Sequence, residues 1–280
     1  MNLLRFVEDL IRLIVLGFLD FRRAGVRVVL FFAFAAELMV FVICADPTFP
    51  LWGGAVVPFV QRVFGSYYLH YPESFIGLPV TGAAGKLLVD LFVSPFVAAW
   101  CGLAVYHVVG DERTQNKTPA RDSAHYYLPL FLLTCVEIAG WILLYGLPIY
   151  LLNTRFDLSY RIHSLITTFG SLLPLLLLCP LFFVPAHLLR EDRGLPRAIG
   201  ASFRRTRQDL QWPVAFVLLP WLAGLPLALI LQRSTRLAAQ LRPEIVLVVV
   251  ALQAAIFLLF GFLALDASIR IFLKPRSRGL

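Results

Sequence analysis

Six long apolar runs constrain this chain more than any other feature. They cover Val28–Ala45, Leu87–Val109, Tyr126–Leu152, Leu165–Leu189, Val214–Leu231 and Ile245–Leu265. Each reaches the roughly 17–25 residues that an α-helix needs to cross about 30 Å of hydrocarbon. No water reaches backbone N–H and C=O groups inside lipid, so a spanning segment must pair them internally, as a helix does. The expected fold is therefore all-α, a polytopic bundle of six transmembrane helices. The connections fall short of the ~50 residues at the lower end for an independent domain. Residues 1–280 thus read as a single integral membrane domain.

Charge placement supplies the orientation. With the N-terminus in the cytoplasm, 18 of the 25 Lys and Arg residues fall on the inner side. Positive charge favours the inside, which puts both termini in the cytoplasm. An even number of spans requires the termini to share a side. The net charge of +8 gathers at span ends, which points to anionic lipid headgroups as partners and not to nucleic acid. The expected location is a bacterial inner membrane.

Asn2–Asp20 is apolar but is not expected to span. Arg5, Glu8, Asp9 and Arg12 recur at helical spacing and make one polar stripe. Such a helix lies in the membrane interface with its apolar residues down; a further buried helix is the alternative. Acids interrupt what would be the basic start of a secretory signal. Arg22, Arg23 and Arg27 then stand at headgroup level before the first span.

The longest outer connection, Asp46–Gly85, is rich in aromatic residues, including Phe49, Trp52, Tyr67 and Tyr71. Aromatic rings with polar tips favour the interface, and a short helix is expected near Ala55–Phe64. The connection reads as an anchor or lid, with a docking surface for another membrane protein as the sharper alternative.

No motif of a soluble enzyme is present: no Walker loop, dinucleotide glycine fingerprint, HExxH or GxSxG. The four cysteines, Cys44, Cys101, Cys135 and Cys179, fall one in each of the first four spans without a CxxC pair. They read as small buried hydrophobes. His107, His125 and His187 approach the inner ends of spans, but no two share the i, i+3 or i+4 spacing of a local ligand pair. No metal and no cofactor is implied.

Intramembrane polar residues are the best clue to a site. Glu37, Glu137 and Gln253 lie near the centres of spans one, three and six. A mid-bilayer acid costs roughly 2.5–3.5 kcal/mol on insertion scales and so turns toward the bundle interior. No Lys or Arg is expected at their depth. The three either hydrogen-bond across helices for stability or form a polar relay or pocket. Pro174, Pro180 and Pro185 interrupt span four, and Pro220 and Pro226 interrupt span five. Broken helices often flank transporter sites.

The inner loop between spans four and five carries an amphipathic pattern. Pro196 suits a first helical turn. Gly194, Ala198 and Ser202 lie four apart, a small-residue stripe for close helix packing. Arg197, Arg204, Arg205 and Arg207 can reach phosphates or a partner. A cytoplasmic helix beneath the bundle is expected. Pro185, Glu191, Gly194, Ala198, Ser202 and Arg205 together resemble a pattern in bacterial six-span proteins of the YciC type. Those proteins are related to the membrane domain of glycerophosphoryl diester phosphodiesterases. The resemblance covers about Pro174–Trp212 and implies architecture more than function; no phosphodiesterase domain follows it.

The sequence thus points to a non-catalytic membrane protein, an accessory or scaffold subunit contacting lipids and other membrane-protein subunits. A transporter or lipid-handling protein using Glu37 and Glu137 is the main alternative. An intramembrane enzyme is weaker, for want of a nucleophile or metal set.

Overall fold

The computed structural model describes residues 3–22, 24–112, 114, 117–155, 160–191 and 194–273. Among them every regular element is helical. Five helical segments are long and apolar enough to cross a membrane, and a bent pair makes up to six. They suit a membrane-embedded protein. Arg23, expected at headgroup level, lies outside the described residues.

Two helices, α1 (Leu3–Phe21) and α2 (Ala24–Ala45), open the chain. The apolar residues of α1 divide into two faces. Phe6, Leu10, Leu13 and Ile14 pack against a core of Phe183, Trp212, Phe216 and Ile271. Leu4, Val7, Ile11, Val15 and Phe18 stay exposed. At Gly17, an added Cβ would meet Leu263 at 2.6 Å, so glycine lets α1 lie close to the last helix.

The aromatic connection is largely helical. It holds α3 (Gly53–Phe64), a tight turn at Ser66–Leu69, and α4 (Glu73–Ile76). Phe75 and Leu78 pack with Phe41, Leu231, Val246 and Val250. The connection therefore folds over one end of the bundle, with Tyr71 Oη donating to Glu244 Oε1 at 3.3 Å.

The segment expected to form the second span differs from its expected bounds. Helix α5 begins already at Leu78 and runs to Phe92, and α6 follows over Ser94–Val109. The two meet at 50°. Pro95 is the cause: it has no N–H for the carbonyl four residues back, and its ring crowds that carbonyl. Tyr127 steadies the bend by donating to the Phe92 carbonyl at 3.1 Å.

Span three comprises α7 (Pro119–Trp141), a wide π-turn at Ile142–Gly146 and α8 (Leu147–Arg155). The widening precedes Pro148, which cannot continue the α-helical bond pattern. The chain then forms α9 (Tyr160–Gly170), α10 (Leu172–Leu178), a 3-10 turn at Cys179–Leu181, and α11 (Val184–Glu191). Span four is thus segmented where its prolines predict. By contrast, α13 (Gln211–Leu231) runs unbroken through Pro220 and Pro226. After the short α14 (Ser234–Gln240), α15 (Glu244–Leu273) closes the bundle.

Between α11 and α13 lies α12 (Leu195–Gln208), with Pro196 in its first turn. Its Ser202 mends the break in span four. The Ser202 hydroxyl donates to the Pro180 carbonyl at 2.5 Å and accepts the Phe183 N–H at 3.2 Å. Of the expected small-residue stripe, Ala198 and Ser202 are fully buried, whereas Gly194 is exposed ahead of the helix. The stripe continues instead to Thr206, which is buried.

The arginines divide likewise. Arg22, Arg27, Arg197, Arg204 and Arg207 are exposed. Arg205 turns inward: it donates to the Ile271 carbonyl at 3.0 Å and pairs with Asp209 at 2.9 Å. It shares the buried face of α12 with Ala198 and Ala201, so its charge serves an unpaired carbonyl near the end of α15, not a headgroup.

Candidate intramembrane binding site

The buried face of α2 reads Val26, Leu30, Ala33, Glu37, Phe41 and Ala45, an i, i+3/i+4 stripe. Glu37 occupies one step of that stripe, so helical periodicity alone turns it inward. Only 2% of its surface is exposed. On α7 the same logic applies: Tyr126, Leu130 and Leu133 are buried, and Glu137 follows one turn later.

Both acids line one cavity of about 640 Å³. This is well inside the usual range for a small-molecule site. Lys86, Asp90, Ser94 and Thr134 also reach it. Most of the wall is apolar, with Leu178, Phe182, Phe257 and Phe262 prominent. Asp90 and Ser94, four residues apart on either side of the bend, line the same space. The segmented span four contributes Phe182 and Pro185.

The expectation that no basic residue reaches the depth of Glu37 does not hold. Lys86 Nζ lies 3.1 Å from Glu37 Oε1 and 2.6 Å from Asp90 Oδ1. A span that begins at Leu87, where unbroken apolarity starts, leaves Lys86 just outside it. In the fold it sits on α5, one turn before Asp90. The signal was present in the sequence: Lys86 and Asp90 are four apart, the spacing of a helical ion pair, and Leu78-Pro79 is a helix start.

Two glycines bring the pair together. Gly82 faces Phe41, and an added Cβ at Gly85 would meet Val40 Cγ1 at 2.2 Å. Without side chains at these positions, α2 and α5 close up and Lys86 reaches across to Glu37. The pairing is incomplete. Glu37 Oε2 is buried and accepts no hydrogen bond from any described residue. Glu137 has no hydrogen-bond or ion-pair partner among the described residues; Asp90 is the charged group that acts on it.

Gln253 stands apart. It is half-buried on α15, and it is not among the residues lining the cavity. The residues of α15 that line the cavity begin at Phe257 and run to Ser268, so Gln253 lies one helical turn before the first of them. No group of three or more His, Cys, Asp or Glu side chains that could hold a metal ion occurs among the described residues. The cysteines are free thiols, with Cys101 and Cys179 buried and Cys44 and Cys135 half-buried.

A second buried ionic cluster lies near the C-terminal end of α15. Asp266 is fully buried and Asp20 nearly so. Arg270 Nε donates to Asp266 Oδ2 at 3.0 Å, and its Nη2 contacts Asp20 on α1. This ties the first helix to the last. The sequence signal was again i, i+4 spacing, in Asp266 and Arg270. Nearby, Arg190 forms a two-pronged pair with Asp111, and the buried Tyr106 donates to the Ala186 carbonyl at 2.8 Å.

No family model matches this chain, and neither a curated protein nor a solved structure matches it.

Proposed function

We propose that this is a six-span membrane protein that binds a small amphipathic molecule in its intramembrane cavity and carries or presents it within the bilayer. One observation carries the reading: Glu37 and Glu137, on two separate spans, face a single cavity of about 640 Å³. Purely structural polar contacts between spans pair with each other, typically for ~0.6 kcal/mol. Here one carboxylate oxygen of Glu37 is buried without a partner among the described residues, and Glu137 pairs with none of them. The broken fourth span beside them is the kind of element that flanks transporter sites.

The excess of basic residues on one side supports a bacterial inner membrane with both termini cytoplasmic. Exposed Arg22, Arg27, Arg197, Arg204 and Arg207 are suited to anionic headgroups. The resemblance to YciC-type proteins supports the same six-span architecture. The reading is non-catalytic, with the protein handling its ligand unchanged.

Gly261 offers a direct test. It lines the cavity, and an added Cβ there meets no atom within 4 Å. Gly261→Trp should fill the cavity with the bundle intact. Native mass spectrometry of the gently extracted protein should find a bound small molecule or lipid that Gly261→Trp lacks. Identical adducts in both, or none in either, would refute the cavity reading. A second reading, an accessory or scaffold subunit, is favoured by the exposed face of α1 at Leu4, Val7, Ile11, Val15 and Phe18. A stoichiometric protein partner in the same spectra would support it.

A further inference from the structure

The charge balance of the cavity defines the class of molecule it accepts. Three carboxylates, Glu37, Asp90 and Glu137, face it against one cation, Lys86; no arginine or histidine is among its lining residues. With all four groups ionised, two negative charges are left over. An anion placed here would meet three carboxylates. A hard metal ion takes six or more oxygen ligands, commonly in a well-ordered polar cage, whereas this wall is mostly hydrocarbon. An organic cation satisfies both requirements, with its charge beside the acids and its body against Leu178, Phe182, Phe257 and Phe262.

The type of cation follows from an individual atom. Glu37 Oε2 is a buried acceptor with no donor among the described residues, although Oε1 of the same carboxylate is held by Lys86 at 3.1 Å. A buried, unpaired acceptor costs about 1–3 kcal/mol, and more when charged. A ligand N–H removes that cost, and a quaternary ammonium has none to offer. Glu137, approaching from α7, supplies a second carboxylate without a partner.

We infer that the cavity is a site for a lipophilic primary or secondary ammonium ion, with its N–H groups on Glu37 and Glu137 and its apolar body in the hydrocarbon part of the wall. The inference rests on the cavity reading above and narrows it to one ligand class. Lys86 and Asp90 form the fixed part of the site, since Lys86 already holds Asp90 at 2.6 Å. Glu37 and Glu137 are the groups that receive the ligand.

Equilibrium dialysis on the full chain in nanodiscs, against empty nanodiscs, tests this with three molecules sharing one cage. They are 1-adamantylamine, 1-adamantanol and adamantane-1-carboxylate, used at pH 8, where an alkylamine is charged. The amine should bind saturably, and about tenfold or more tightly than the alcohol, the scale of a charge-assisted hydrogen bond. The carboxylate should bind least. Glu137→Gln, which disturbs no existing partner, should remove about tenfold from amine binding and leave the alcohol unchanged. Glu37→Gln should do the same, and Gly261→Trp should abolish binding of all three.

Equal binding of amine and alcohol, abolished by Gly261→Trp, would overturn the ammonium assignment while upholding the cavity. Saturable binding that Gly261→Trp does not alter would overturn both. Preference for the carboxylate, or no saturable binding of the amine to the unaltered protein, would overturn the assignment.

Discussion

Gly85 lies so close to Val40 that a methyl group on the glycine would come within 2.2 Å of the valine Cγ1. This approach of α5 to α2 is what lets Lys86, the next residue, reach Glu37. Gly85→Leu should therefore do two things. Overpacking should cost about 1–3 kcal/mol, read as earlier unfolding in mixed SDS micelles. It should also separate the helices. A disulfide engineered across the same contact should form readily in the parent and poorly in Gly85→Leu. Equal cross-linking would show that the contact is looser than drawn.

Lys86 serves two acids, so its removal should cost more than the loss of one contact. Lys86→Met leaves Glu37 and Asp90 without their cation, and breaking a buried pair from one side costs about 3 kcal/mol or more. Lys86→Met combined with Glu37→Gln should recover part of that loss. A double-mutant cycle measures the coupling. A coupling of zero would mean that Lys86 and Glu37 do not interact in the folded protein.

Ser202 predicts a local effect. Ser202→Ala removes the hydroxyl that serves both Pro180 and Phe183. The Phe183 N–H is left buried and unpaired, at about 1–3 kcal/mol. Amide hydrogen exchange at Phe183 should accelerate, while exchange within α15 should not change. If protection at Phe183 persists, the proline break is stabilised by something other than α12.

Arg270 links α1 to the end of α15. Arg270→Met should destabilise the bundle strongly, because the fully buried Asp266 loses its ion-pair partner and Asp20 loses the contact that ties α1 to α15. Asp20→Asn is milder and more informative, since Asp266 remains paired. It should loosen α1 selectively, and limited proteolysis should cut near the N-terminus before any other site. Unchanged protection of α1 would place its attachment in apolar contacts such as those of Phe6, Leu10, Leu13 and Ile14.

Legibility varied with the length scale of the signal. The apolar runs were readable because lipid demands unbroken hydrophobicity over a whole span, and no local exception hides that. The segmentation of span four was readable from Pro174, Pro180 and Pro185, since proline acts through its own backbone. The inward placement of Glu37 followed from one helical period. Lys86 was missed because a start at Leu87 assigned it to a loop. That start came from apolarity, which falls off around Gly82 and Gly85, where α2 itself packs in place of side chains. Arg205 was grouped with its exposed neighbours because four arginines in one short helix look alike. Its partner, the Ile271 carbonyl, is remote in sequence.

Legible from the amino-acid order alone were the apolar character of the long segments and their helical class. Each depends on composition or periodicity within a single segment. Only the tertiary structure decided which helices are neighbours, and with that the ion pair at Glu37, the cavity shared with Glu137 and the exclusion of Gln253 from its walls. The physical reason is that lipid-facing and protein-facing surfaces in a bilayer are equally apolar. Helix order must then come from close contacts at small residues such as Gly85 and from polar groups that find partners far along the chain.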